Sequence, residues 1–187
     1  MFLRFRNKLH SSLVVSDMFL LGKEIEMKTF VFVVAAMLCG SLMAADDGLT
    51  LALKGEGKVM SWGFSFEREA TITSEALLKG GEDVLKAIFK DAEVKGDKSK
   101  IEGVSGSFAI DKEGKITGKV KLDWTASGNP KTLSTDIAGK AELAEDGKKV
   151  TKISFKSEGG KVEGSWKHGD GAAMKTKGTG NFSVESK

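Results

Sequence analysis

Apolar and polar residues alternate with a period of two along most of the chain from Leu49 to Val184, the spacing of strands that bury one face. Leu49, Leu51 and Leu53 alternate with Thr50, Ala52 and Lys54. Met60, Trp62, Phe64 and Phe66 follow on one face, with Val59, Ser61, Gly63 and Ser65 on the other. Val104, Phe108 and Ile110 form a third set. Ile116, Val120, Leu122 and Trp124 form a fourth, backed by Lys119, Lys121 and Asp123. Leu133, Ile137, Ala141 and Leu143 come next, then Ile153 with Phe155, Val162 with Trp166, and finally Met174, Phe182 and Val184. This pattern predicts about eight strands.

The connections are short. Asp111–Gly114, Glu145–Gly147, Glu158–Gly160 and His168–Gly171 each carry the Gly or Asp that tight hairpins use, and Ser127–Pro130 is a longer turn. Consecutive hairpins make neighbours in sequence antiparallel neighbours in space. One segment departs from the period. Glu82–Lys90 places Val84, Leu85, Ile88 and Phe89 on one helical face, with acids at its start and lysine at its end. Ser74–Lys79 before it reads as a first helical turn or a strand end, with Gly80 and Gly81 as the break. Asp91–Lys100 reads as a charged connector.

The expected fold is therefore all-β: about eight antiparallel strands in a meander, closed or nearly closed into a barrel, with one short amphipathic helix between strands 2 and 3. It is lipocalin-like in architecture alone, since no motif identifies a family, and such a fold does not fix function. Glycines recur inside the strands. Val104-x-Gly106-x-Phe108, Ile116-x-Gly118-x-Val120, Ile137-x-Gly139-x-Ala141 and Val162-x-Gly164-x-Trp166 repeat one motif, and Gly178 and Gly180 continue it. Glycine weakens a strand interior, so the recurrence needs a cause. Sharp strand coiling in a small barrel is the simpler one; a hollow for a ligand is the other.

The N-terminal quarter has a different character. Residues 27–44 read as a secretory signal peptide: Lys28 is the basic start, Phe30–Leu38 the apolar run, and small residues lead to cleavage after Ala44. Residues 1–26 lack either period and read as an extension that is untranslated or disordered. The expectation is one domain over 45–187, exported to the periplasm or the extracellular space. The apolar run is shorter than the ~20 residues of a spanning helix, so no transmembrane span is expected in the mature form.

That division changes the chemistry on offer. The single cysteine, Cys39, and one of the two histidines, His10, fall outside 45–187. The remaining domain has no thiol for a disulfide, a nucleophile or a thiolate metal site. It carries 24 basic against 23 acidic residues, and Arg68 is its one arginine. Nucleic-acid binding draws on clustered positive charge and bidentate arginines, so this balance argues against it.

His168 lies at a Gly-rich turn and reads as solvated. Gly103-Val-Ser105-Gly-Ser107 departs from the nucleophile elbow in its last residue and sits in a strand. Asp111–Gly114 lacks the later ligands of a calcium loop. No metal or cofactor is expected. Trp62, Phe64, Phe66, Trp124 and Trp166 fall on inward faces, and Arg68 is in phase with the first three. These six are the candidate lining of a hydrophobic pocket, with Arg68 as an anchor for a carboxylate or phosphate. The bland alternative is core filling for the aromatics and, for Arg68, a rim ion pair with Glu67, Glu69 or another surface acid.

The leading expectation is an exported, non-enzymatic binding protein that holds a small apolar or amphipathic ligand inside a barrel. The alternative is a structural or protein-interaction module of the cell envelope with a filled core. A membrane-spanning barrel would need an apolar exterior and aromatic girdles, and the chain has no tyrosine.

Overall fold

The alternation closes on itself. The computed structural model describes residues 48–187, and the extension and signal peptide assigned above lie outside the described residues. The strands are β1 (Gly48–Val59), β2 (Trp62–Thr73), β3 (Glu93–Lys95), β4 (Ser99–Ile110), β5 (Lys115–Ala126), β6 (Asn129–Leu143), β7 (Val150–Trp166) and β8 (Met174–Ser186). Each pairs antiparallel with the next, and β8 returns to β1 with Leu53 opposite Val184 and Gly55 opposite Phe182. Two short helices, α1 (Ser74–Lys79) and α2 (Glu82–Phe89), lie between β2 and β3.

The inward face is apolar. Leu51, Ile116, Leu122, Leu133, Ile153 and Val184 are all fully or nearly fully buried. Outward positions carry charge, as Lys115, Lys119 and Lys121 do on β5. This polarity is the reverse of a membrane-spanning barrel. Among the described residues no helix is long and apolar enough to cross a membrane.

The glycine positions are occupied from the neighbouring strand. A Cβ on Gly55 would sit 2.2 Å from the ring of Phe66, and one on Gly57 would sit 2.4 Å from the ring of Phe64. At Gly139 the same atom would lie 2.2 Å from the Ser154 carbonyl oxygen and 2.4 Å from Phe155 Cβ. Each missing side chain is the space in which an aromatic ring or a neighbouring strand lies. The rings then meet one another: Phe108 and Phe155 are 5.5 Å apart, and Phe89 meets Phe182 edge-on at 4.9 Å. Rings and neighbouring strands fill the space these glycines leave, so it is not a hollow for a ligand.

One seam is weak. β3 has three residues and pairs only with Ser65–Glu67 of β2 and with Ser99 and Lys100 of β4. Helix α2 packs between the remainders of β2 and β4, and its Val84, Leu85, Ile88 and Phe89 are buried. Burial of such side chains contributes about 1.5–3 kcal/mol each, so the helix acts as the missing length of wall. Helix α1 is capped by Thr73, whose Oγ1 accepts from Ala76 N at 3.3 Å. Ser74 Oγ accepts from Val150 N and donates to Val150 O, fastening that helix to β7.

The strand total agrees with the pattern through two offsetting differences. The stretch 91–100, expected as a connector, contains β3 and the start of β4; a three-residue strand is too short to show a period. Ile153–Phe155 and Val162–Trp166, expected as two strands with a hairpin at Glu158–Gly160, form the single strand β7. Gly159 has φ +70°, yet it makes a bulge and not a reversal. β6 keeps its pairing on both sides of it, with Asp136 opposite Glu158 and Ser134 opposite Lys161. The β7–β8 ladder breaks between Lys156 and Lys161, and Ser157 Oγ fills the gap by accepting from Phe182 N at 2.8 Å. Met60 also differs. The alternation places it inside with Trp62, but Val59 and Trp62 face each other across a two-residue turn. Val59 is therefore buried, while Met60, at φ 56°, is exposed.

Overpacking a filled site costs about 1–3 kcal/mol. Gly139→Ala should lower the urea unfolding free energy by that amount. Gly63→Ala, whose Cβ would meet nothing nearer than 3.9 Å, should change it by less than ~0.5 kcal/mol. Equal effects at the two positions would contradict the packed interior.

Candidate functional site

In a meander the alternate connections lie at one end of the barrel. The β1–β2, β3–β4, β5–β6 and β7–β8 connections form one mouth, opposite the helices. The large hydrophobic residues that remain exposed among the described residues gather there: Met60 (63%), Trp62 (73%), Trp166 (45%) and Met174 (51%). With Val59, Ala126 and neighbouring residues they line a cleft of about 310 Å³. A larger hollow on the outer wall runs over Gly55 and is flanked by Lys54, Glu56, Glu67 and Lys156. That one is a charged, open groove, whereas a ligand site is concave and mostly apolar.

The floor of the mouth cleft is polar and organised. Asp97, in the β3–β4 turn, accepts from Trp124 Nε1 at 2.9 Å and from Lys131 Nζ at 3.3 Å through the same oxygen, Oδ2. Both charged side chains are mostly withdrawn from solvent, Lys131 at 14% and Asp97 at 13% exposure. Trp124 is buried and its ring lies 5.2 Å from that of Phe64. Asn129 ties the rim together: its Oδ1 accepts from Lys167 N at 2.8 Å and its Nδ2 donates to Ser127 O at 3.1 Å. The Trp166 ring stacks on that of His168 at 5.7 Å. Thr176 is buried and lines the cleft, and its Oγ1 has no hydrogen-bond partner.

The six residues singled out from sequence separate into four levels along the barrel. Trp62 and Trp166 are in phase with the interior but lie past the point where the opposite wall covers them, so they form the rim. Trp124 lies beneath the cleft and reaches it through Asp97. Phe64 and Phe66 belong to the core, their ring centroids 6.4 Å apart. Arg68 is half-buried opposite Leu53, towards the helix end and away from the mouth. Its Nη1 is buried without a hydrogen-bond partner. Glu67 and Glu69, the two acids named as its partners, are instead paired with Lys95 and Lys187.

Sequence reasoning missed Asp97, Lys131, Thr176, Met60 and Met174. Asp97 and Lys131 are separated by 34 positions, so no local pattern links them. The two methionines did leave a signal, being apolar residues at turns that a meander brings to the end holding Trp62 and Trp166. Two carboxyls sit below the ordinary carboxylate range, Glu67 through its hydrogen bond from Lys95 and Glu82 through that from Lys86. Both are exposed outer positions, so they mark surface ion pairs and not an acid of the mouth. Among the described residues no cluster of His, Cys, Asp and Glu has the arrangement of a metal site.

Comparison with protein-family models, curated proteins and solved structures gives no match for this chain.

Breaking one partner of a withdrawn ion pair leaves an uncompensated charge, and Trp124 N–H would lose its acceptor as well. Asp97→Ala should cost about 2–3 kcal/mol in urea unfolding. Adding Lys131→Met should recover most of that loss. A single-variant cost below ~0.5 kcal/mol would show that the floor is not held as a unit.

Proposed function

We propose that this protein is an exported, non-enzymatic binding protein that holds a small apolar or amphipathic ligand at the barrel mouth. The observation that carries the reading is the convergence of Met60, Trp62, Trp166 and Met174 on one concave cleft. Large apolar side chains left in water at a single place mark a binding surface. The aromatic rings already lie in the glycine positions, so the reading moves the ligand from the interior to the mouth. The apolar rim suits the body of the ligand. The unpartnered Thr176 hydroxyl and the Asp97–Lys131 pair suit a polar group at its inner end. Export rests on the signal-like segment 27–44.

A protein-interaction module is the second reading, and the filled core with one exposed patch favours it too. The concavity of the cleft and the buried hydroxyl in its wall favour the small ligand, because a flat protein partner leaves such a hydroxyl unused.

Titration of the protein with a fluorescent fatty-acid analogue separates the two. A small-ligand site predicts a saturable 1:1 response with a change in tryptophan emission. Trp166→Ala with Met174→Ala should weaken binding about tenfold or more. Thr176→Val should weaken it about fivefold, the effect of one hydrogen bond. An unsaturable response, or affinity unchanged in the double variant, would refute the ligand reading.

A further inference from the structure

The cleft is surrounded by positive charge that the ion pairs of the protein do not use. The segments forming the mouth, 58–63, 95–100, 124–131 and 165–177, carry eight lysines and two aspartates. The other described residues carry 16 basic against 19 acidic groups, so the charge is polarised towards one end. Asp97 is already taken by Lys131, and Lys95 is taken by Glu67. Lys58, Lys98, Lys100, Lys167, Lys175 and Lys177 are exposed and make no ion pair among the described residues. They form a collar around four exposed apolar side chains, two of them tryptophans.

We propose that the mouth is a membrane-docking face that seats on an anionic lipid bilayer. Tryptophan places its apolar body at the acyl boundary and its N–H among headgroups, and Met60 and Met174 add flexible apolar surface beside it. Lysines close to an anionic surface each contribute on the order of 1 kcal/mol to attraction. A protein partner would be met by a rim mixing both signs, which fixes register. Here the free groups of the rim are mostly lysines, with Asp170 among them and Glu93 and Glu163 standing opposite Lys100 and Lys177, and the complementary surface is a field of negative charge. The barrel wall beyond the collar is closer to neutral and slightly acidic, so the protein would stand on its mouth and not lie on its side. This inference goes beyond the ligand reading and does not require it.

The three tryptophans of the chain all lie in the barrel, which gives a direct readout in the full-length protein. Trp62 and Trp166 are exposed at the mouth, and Trp124 is buried at 3%. Vesicles of phosphatidylglycerol mixed with phosphatidylcholine, with brominated acyl chains, should quench the two exposed tryptophans and leave Trp124 bright. Trp62→Phe with Trp166→Phe should abolish the quenching. Lys98→Glu with Lys175→Glu should weaken partition about tenfold or more, as should raising the salt. Both lysines are exposed, and quenching of the unaltered protein stands as evidence without the variants.

Equal quenching by pure phosphatidylcholine vesicles would overturn the proposal. So would vesicle binding without quenching, which would place the contact outside the mouth, or an absence of binding with the mouth left for a protein partner. The assay contains no fatty-acid analogue and the ligand titration contains no bilayer, so either idea can fail without the other.

Discussion

The structure depends on aromatic rings lying where glycines have no side chain. A narrow eight-stranded barrel must fill its interior while its strands coil tightly. Here both demands are met at the same positions. Phe66 lies over Gly55, Phe64 over Gly57, and Phe155 beside Gly139. The glycine lets its strand approach and bend, and the ring restores the packing that the glycine gave up. Interiors are close-packed to the density of organic crystals, so little room is left for an internal ligand. A barrel built this way leaves an end, and not its interior, as the place for the proposed binding.

The second constraint is the seam at β3. Three residues of strand cannot carry the wall between β2 and β4, and α2 completes it with a buried face reaching Phe182 of β8 through Phe89. Ser74 anchors the preceding helix to β7. The helix end is thereby closed and the opposite end is left for the mouth. The asymmetry of the molecule, covered at one end and apolar-rimmed and basic at the other, follows from where the chain interrupts its meander.

Much of this was legible in the sequence. Alternation over most of 49–184 marked every strand but β3 and their inward faces, and the short turns marked the antiparallel order, because both are local properties. The apolar face of 82–90 gave α2 for the same reason. What escaped were features set by pairing. Gly159 has the conformation of a turn residue, and only the continuous partner strand β6 makes it a bulge. β3 is defined by two neighbours and not by its own residues. At the mouth, phase correctly put Trp62 and Trp166 on the inward side, but phase cannot say where the barrel wall ends. The Asp97–Lys131–Trp124 floor assembles three distant segments, and in sequence Asp97 is one charge in a charged run. Arg68 shows the limit from the other side: its phase was right, its expected partners were taken by lysines, and its position is remote from the cleft.

The central claim is that the interior is filled and the mouth binds. Chemical-shift mapping of the labelled protein with a small apolar probe tests it most directly. The account predicts shifts confined to Met60, Trp62, Trp166, Met174 and Thr176, with the Phe108, Phe155 and Phe182 ring signals unmoved. Shifts centred on those three phenylalanines, with the mouth unaffected, would place the ligand inside the barrel and contradict it.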